Sequence, residues 1–343
     1  MNSDNSNSAY HPGDRVILSI VIPAYNEEGN LRRLHSELMN VVPQLNISWE
    51  IIFSDDGSDD NTWNEIKSLG EENKNIKAIR FSRNFGHQYA LLAGLIHATG
   101  QAIICMDADL QHPVEVIPQL VAEWQKGNKI VHTIRLDPKK ITFFKKWTSK
   151  LFYKAFSLLS GIPIEEGMAD FRLLDREVVH TILSFREDGL FLRGIVQWIG
   201  YPSSKIFFRC HDRHTGTSKY TLKKMIKLAL TGITSFSIIP LRIAIAVGIF
   251  TSLIAFGELA YAVYAKVILG TTVPGWASAV SILAFLFGIL FILLGVIGEY
   301  IGKILIEVRN RPRFIVREQV GITHVAKTDS DIFKYEYFSS SEN

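Results

Sequence analysis

Two long apolar stretches near the C-terminal end restrict this chain more than any other feature. Leu241 to Ala265 is largely apolar and of spanning length, and Ser278 to Gly298 is uncharged over roughly the twenty residues that a bilayer requires. A segment of this kind is stable in hydrocarbon or in a very large core, and 343 residues leave little room for the second. The turn between them, Lys266 to Trp276, contains one cation. Lys223, Lys224, Lys227 and Arg242 flank the first stretch, and Lys303, Arg309, Arg311, Arg313 and Arg317 follow the second. That bias predicts a two-helix hairpin with both chain ends, and the domain preceding it, on the cytoplasmic side. Glu258, inside the first stretch, is costly in lipid and calls for a polar neighbour or a place near the interface.

The rest divides around this hairpin. Residues 1–15 read as a polar Asn/Ser-rich tail without a basic-then-apolar signal sequence, residues 16–220 as a cytoplasmic domain, and residues 221–239 as an interfacial amphipathic helix. The hairpin occupies residues 240–302, with spans at about 241–265 and 278–300, and residues 303–343 form a basic segment and tail. Gly288, Gly295, Gly298 and Gly302 allow close helix approach, so a homo-oligomer is expected. The net charge of +3 is too small to argue for nucleic acid. Two cysteines, Cys105 and Cys210, suit a reducing compartment and supply no disulfide framework.

Within residues 16–220, strand-like runs alternate with helical periodicity. Val16–Ile22, Trp49–Phe53, Ile76–Arg80, Ala102–Met106 and Lys129–Thr133 read as strands. Helices are predicted after Glu28, with Leu31, Leu34, Leu38 and Val41 at helical spacing, from about Asn61, over His87–Ala98 and over Val114–Lys126. Such alternation gives a mainly parallel sheet covered on both faces, with functional side chains at the strand C-termini. Three acidic loops fall there: Glu27-Glu28, Asp55-Asp56 and Asp107/Asp109. Together they would repel one another, and a divalent cation removes that cost while binding a diphosphate. Asp107 and Asp109, one residue apart at the end of an apolar strand, can converge on one hard cation with the Gln111 carbonyl as a third oxygen donor. No Walker-type loop and no Gly-x-Gly-x-x-Gly is present, so the expected ligand is a nucleoside diphosphate held through metal. Tyr25 is equally a base-stacking ring or a core tyrosine.

Five segments then identify a family. Ile20–Glu28, Asp55–Thr62, Ser82–Gly86, Asp107–Pro113 and Ala169–Asp175 resemble, in order, the motifs of family-two glycosyltransferases. With the hairpin, the chain resembles the bacterial polyprenyl-phosphate glycosyltransferases of the bactoprenol glucosyltransferase kind, related to dolichol-phosphate mannose synthase. The resemblance implies a GT-A, Rossmann-like α/β fold and a nucleotide-sugar donor such as a UDP-sugar. It places Pro23, Tyr25 and Glu27 at the base and ribose, Asp56 close to the base, and Asp107, Asp109 and Gln111 on Mg²⁺ or Mn²⁺. Asp109, Asp170 and Arg172 would form the transfer centre, the last two on the acceptor side, with Asp170 better suited to positioning than to acting as a base. Arg213, Ser218 and Lys219 match a loop that closes over the diphosphate, while His211 and His214 in the same loop lack a third partner for metal. Arg135 opens a basic, aromatic-containing stretch, with Arg135 and Arg172 suited to the acceptor phosphate.

The function so implied is inverting, metal-dependent transfer of a sugar to a polyprenyl phosphate such as undecaprenyl phosphate, at the inner (cytoplasmic) membrane. Glucose from UDP-glucose is the expected sugar. The alternatives are mannose or an amino-arabinose derivative by the same chemistry, and a catalytically silent membrane scaffold, which the presence of Asp107 and Asp109 disfavours.

Overall fold

The computed structural model describes residues 16–136, 157, 161, 167–185, 187, 191–209, 237–268, 270, 275–322 and 335–337. The chain forms two compact units, one from residues 1–153, 163–219 and 311–343, the other from residues 154–162 and 220–310. The expected N-terminal tail and most of the expected interfacial helix lie outside the described residues.

The first unit is built on one sheet. Its strands are β1 (Leu18–Ala24), β2 (Trp49–Asp55), β3 (Ile76–Phe81), β4 (Ala102–Cys105), β5 (Ile130–Arg135), β6 (Met168–Asp175), β7 (Ser203–Phe208), β8 (Phe314–Val320) and β9 (Tyr335–Tyr337). They lie in the order β7-β5-β6-β4-β1-β2-β3-β8-β9. The pairs β1–β2, β1–β4, β2–β3, β5–β7 and β8–β9 are parallel, whereas β6 runs against β4 and β5, and β8 runs against β3. This is the expected mostly parallel GT-A arrangement. Every residue of β1 and β4 is buried, because both sheet faces are covered, so these strands read as continuous apolar runs rather than alternating ones.

Helices α1 (Leu31–Val41), α2 (Thr62–Glu72), α3 (His87–His97) and α4 (Ile117–Gln125) connect the parallel strands, followed by α5 (Arg176–Ser184) and α6 (Leu192–Trp198). The spacing of Leu31, Leu34 and Leu38 turns one stripe of α1 to the core, where all three are fully buried. Full burial of each such side chain contributes about 2 kcal/mol. Helix α3 lies so close to the sheet that a Cβ on Gly94 would overlap the Val21 side chain. Asp175, the last residue of the fifth motif, caps α5 by accepting a 3.0 Å bond from the Glu177 N–H.

Differences from the sequence reading have local causes. β2 continues through Ser54 and Asp55, because Asp55 finds hydrogen-bond partners and stays in the ladder while buried. The predicted Val114–Lys126 helix is a 3₁₀ turn, Val114–Val116, followed by α4, which restarts with a proline in its first turn. Phe314–Val320, read as part of a segment trailing the hairpin, is instead a strand of the sheet. β6 was recognised as a motif without being read as a strand.

The second unit contains α7 (Ile239–Val267) and α8 (Trp276–Arg309), both long and apolar enough to cross a membrane. Their large apolar side chains, such as Phe256, Phe285 and Ile292, point outward, which is costly in water and favourable in hydrocarbon. Tyr300 on α8 donates a 2.6 Å bond to the Ser237 carbonyl just before α7, and Gly248 on α7 faces the Leu293 side chain. Glu258 is exposed on α7.

Candidate active site

The C-terminal ends of the parallel strands carry the site. β6 runs the opposite way, so its first residues join the same edge.

On one side, the loops after β1, β2 and β3 are tied together by side chains that accept from backbone N–H groups. Asp56 is buried and takes the N–H groups of Phe85 at 2.7 Å and Gly86 at 3.0 Å. Ser58 accepts from Asn26, Thr62 from Glu27, Asp60 from Glu28, and Asn26 in turn from Asp59. Asp55 accepts the Ser58 N–H at 3.0 Å and the Ser58 hydroxyl at 2.5 Å. Burial pushes the carboxyls of Asp55 and Asp56 up, while these hydrogen bonds act against the shift. The turn needs Gly57, whose φ is +70° and whose added Cβ would collide with the Arg83 backbone. The mutual repulsion expected of the first two acidic loops is thus met largely by amide donors. Among the expected donor-site residues, Pro23 is the second-last residue of β1, Tyr25 is 41% exposed and open to a stacking partner, and Glu27 accepts a 2.7 Å bond from Asn30.

At the centre, Asp107 and Asp109 follow β4, and Leu110 adopts a left-handed φ of +60°, an uncommon conformation for a leucine. The Asp107 N–H donates to His112 Nδ1 at 3.1 Å, and its carboxylate lies 3.5 Å from His87 Nε2 and 3.8 Å from His112 Nε2. His112 is held flat on Phe171, centroids 5.0 Å apart. Asp109 Oδ1 accepts the Gln111 N–H at 3.2 Å. Among the described residues no three His, Cys, Asp or Glu side chains converge as a ready-made cage. Two carboxylates at a strand end nevertheless fit a hard divalent cation that takes its other oxygens from a diphosphate and water. Gln111 is buried, and its Nε2 has no hydrogen-bond partner among the described residues, so an amide at this edge awaits one.

On the other side, Asp170 on β6 is clamped by two cations. Its Oδ1 lies 2.6 Å from Arg172 and its Oδ2 lies 2.9 Å from Arg193 of α6. Burial raises the Asp170 pKa, but the charges of Arg193 and Arg172 outweigh it and hold the carboxyl well below the usual carboxylate range. Arg172 is only 3% exposed, and its Nη1 has no hydrogen-bond partner among the described residues. In the neighbouring strand His132 is paired in register with Arg172, and burial lowers its pKa to about 4. Arg135 ends β5 at the same edge and is exposed. Arg213, Ser218 and Lys219 lie outside the described residues, as does the basic stretch after Leu136.

The sequence reading missed His87, His112 and Arg193. His112 stood inside a recognised motif, and a histidine two residues beyond a metal-ligand candidate was a usable signal. Nothing in the spacing connects His87 or Arg193 with Asp107 or Asp170.

Comparison with known proteins gives the arrangement its family. The model "Glycosyl transferase family 2" matches residues 19–183, and "GtrB C-terminal hairpin" matches residues 239–304. An uncharacterized glycosyltransferase, YkcC, of Bacillus subtilis is 40% identical over 304 residues, 89% of this chain and 94% of that protein. The bactoprenol glucosyl transferase of Shigella phage SfII is 39% identical over 301 residues, 88% of this chain and 97% of its own length. A solved mannosyltransferase from Pyrobaculum calidifontis, in complex with GDP-Man and Mn²⁺, superposes with a TM-score of 0.47 at 16% identity, covering 64% of each chain. With its sheet, its motifs and relatives matched over almost their whole length, the chain belongs to the family-two glycosyltransferases that carry a GtrB-type C-terminal hairpin.

Proposed function

We propose that the enzyme transfers a sugar, glucose from UDP-glucose, to a polyprenyl phosphate such as undecaprenyl phosphate, with inversion at the anomeric carbon. The observation that carries this reading is the pairing, at one sheet edge, of the Asp107/Asp109 carboxylates with the Asp170–Arg172–Arg193 cluster. The first suits a nucleoside diphosphate held through a cation, and the second has an excess of positive charge suited to an anionic acceptor. The acceptor class also follows the name of the phage relatives, bactoprenol glucosyl transferase. The hairpin gives a reason for a lipid acceptor, because it keeps the enzyme at the surface where such a lipid resides.

In this reading the base stacks on Tyr25, with Pro23, Glu27 and Asp56 shaping the pocket. Asp107 and Asp109, with Gln111, would hold Mg²⁺ or Mn²⁺, which supplies Lewis-acid neutralisation of the departing diphosphate. Arg213, Ser218 and Lys219 would contribute cationic and hydroxyl groups to the same diphosphate. A phosphate oxygen of the acceptor attacks the anomeric carbon as the bond from that carbon to the donor's β-phosphate oxygen breaks, and the nucleoside diphosphate leaves. The acceptor phosphate is already ionised at neutral pH and needs no base, which agrees with an Asp170 held far below the range in which it would collect a proton. Asp170 instead orients Arg172 and Arg193 towards the acceptor anion, with Arg135 contributing at the rim. The protein is a homo-oligomer of the inner membrane with its catalytic unit and both ends in the cytoplasm.

The test uses detergent-purified protein, undecaprenyl phosphate, Mg²⁺ and a panel of radiolabelled nucleotide sugars. Label from UDP-glucose passing into the organic phase, and its loss on adding chelator, is the expected result. Nucleotide binding without any lipid labelling would overturn the acceptor assignment.

A further inference from the structure

Arg80 and Glu318 have no part in the chemistry above, yet they join the loop after β2 to a strand that the chain adds only after the hairpin. Arg80, near the end of β3, reaches three acceptors. Its Nη1 lies 3.0 Å from Glu318 Oε1 on β8, its Nη2 donates to the Ser58 carbonyl at 3.3 Å, and its Nε lies 3.4 Å from Asp55 Oδ2. The other Glu318 oxygen accepts the Trp63 indole N–H at 3.0 Å. Trp63 is buried in the first turn of α2, directly after the loop, and the Arg80 guanidinium carbon lies 5.8 Å from its ring centroid. Glu318 therefore ties the loop of residues 55–61 at two points, through Arg80 to Asp55 and Ser58 and through Trp63 to the start of α2. That loop in turn holds its two neighbours, since Asp56 takes the Phe85 and Gly86 amides and Ser58 takes the Asn26 amide. The Arg80–Glu318 pair is partly sheltered, with side chains 21% and 40% exposed, so its geometry is better defined than that of a solvated pair.

We propose that Glu318, acting through Arg80 and Trp63, is a positioning residue for the donor nucleotide: it fixes the loop of residues 55–61 in the shape that receives the nucleoside diphosphate sugar. The proposal rests on the reading above that this loop belongs to the donor site. The strand that follows the hairpin is then part of the donor machinery, although none of its side chains touches the reacting atoms.

A merely structural staple and a positioning contact differ in what they change. Losing a staple lowers the folded fraction, and with it the apparent kcat and the melting midpoint. Losing a positioning contact weakens donor binding and leaves kcat at saturating donor in place. UDP and, in parallel, GDP are titrated with Mn²⁺ into the full-length detergent-purified protein and into Glu318→Gln, Arg317→Ala and Asp56→Asn. KM and kcat for the donor and the thermal midpoint are measured alongside. Glu318→Gln keeps the shape and an acceptor for Trp63 while removing the charge opposite Arg80. It is expected to weaken nucleotide binding and raise donor KM by about three- to tenfold, with kcat within about twofold. Arg317, 57% exposed, lies 3.8 Å from the same Glu318 oxygen, so Arg317→Ala, which removes only this solvated partner and leaves Arg80 in place, is expected to change donor KM by less than about twofold with kcat and the midpoint unchanged. If Asp56→Asn weakens nucleotide binding and Glu318→Gln does not, or if Glu318→Gln lowers kcat and the midpoint together with KM unchanged, the positioning role is overturned and the donor-site reading stands. If neither nucleotide binds the wild-type protein, or Asp56→Asn leaves affinity untouched, the donor-site reading fails and takes the proposal with it.

Discussion

The two halves of the site manage their carboxylates in different ways. At the end of β2 and in the loop after it, Asp55, Asp56 and Asp60 are met mainly by backbone N–H groups. On β6, Asp170 is met by two guanidinium groups. Amide donors fix the path of the chain, so this half, the proposed donor side, is defined by shape. Guanidinium donors fix charge in space, so the other half, the proposed acceptor side, is defined by its field. Between them, the Asp107 carboxylate is approached by two histidine rings and remains about one-third exposed, which leaves the centre open to a cation and the reacting groups.

Substitutions that strike the centre and then each half separately test this contrast, beginning with the largest effect. Asp109→Ala is expected to lower transfer by about 10³-fold or more while the hairpin still inserts, and chelator should do the same to the wild type in a manner that Mg²⁺ or Mn²⁺ reverses. Membrane fractionation and the lipid-extraction assay check both, and near-normal turnover of Asp109→Ala would remove the metal site. On the field-defined side, Asp170→Asn should cost about 10- to 100-fold in rate while the pH–rate profile keeps its shape, the outcome required of a positioning carboxyl that passes no proton. Loss of the acidic limb in that variant would instead make Asp170 the base. On the shape-defined side, Gly57→Ala should destabilise by roughly 1–3 kcal/mol and raise donor KM more than acceptor KM, since a left-handed φ and the Arg83 backbone both oppose the methyl group. Equal changes in the two KM values would show that the halves are not separable.

The smallest effect concerns stability and pH. Burial lowers His132 and His97 from 6.5 to about 4. The unfolded chain then binds protons at these sites before the folded one does, so their contribution is fully present above about pH 6.5 and is lost as pH falls towards 4. Denaturant midpoints measured from pH 7 to 4 should fall over that window, and less steeply in His132→Gln. An unchanged slope would show that His132 does not carry the effect.

Much of this architecture was legible in the residues. β1 and β4 were visible as apolar runs, α1 through its leucine spacing, and the hairpin through length and lack of charge, all of them local signals. β8 was not legible, because its partner β3 lies more than two hundred residues earlier and Arg317-Glu318-Gln319 breaks up its apolar character. β6 was obscured because Asp170 and Arg172 are polar yet largely buried, which their ion pair, the second cation Arg193 and the Arg172 bond to the Ala169 carbonyl make tolerable. The Asp107/Asp109 centre was found because two carboxylates and a strand end are adjacent in sequence. The His87, Arg193 and Glu318 contacts are products of folding at long range.

The placement of β8 also bears on how the protein is made. The hairpin lies between β7 and β8 in the sequence, so a ribosome releases both apolar helices before it releases the strand that covers the edge of β3. Until then β3 presents unpaired amide and carbonyl groups and the Arg80 side chain lacks Glu318. Completion of the sheet is thereby deferred until the membrane segment has been synthesised, and a polypeptide truncated after the hairpin retains its anchor but leaves the β3 edge open.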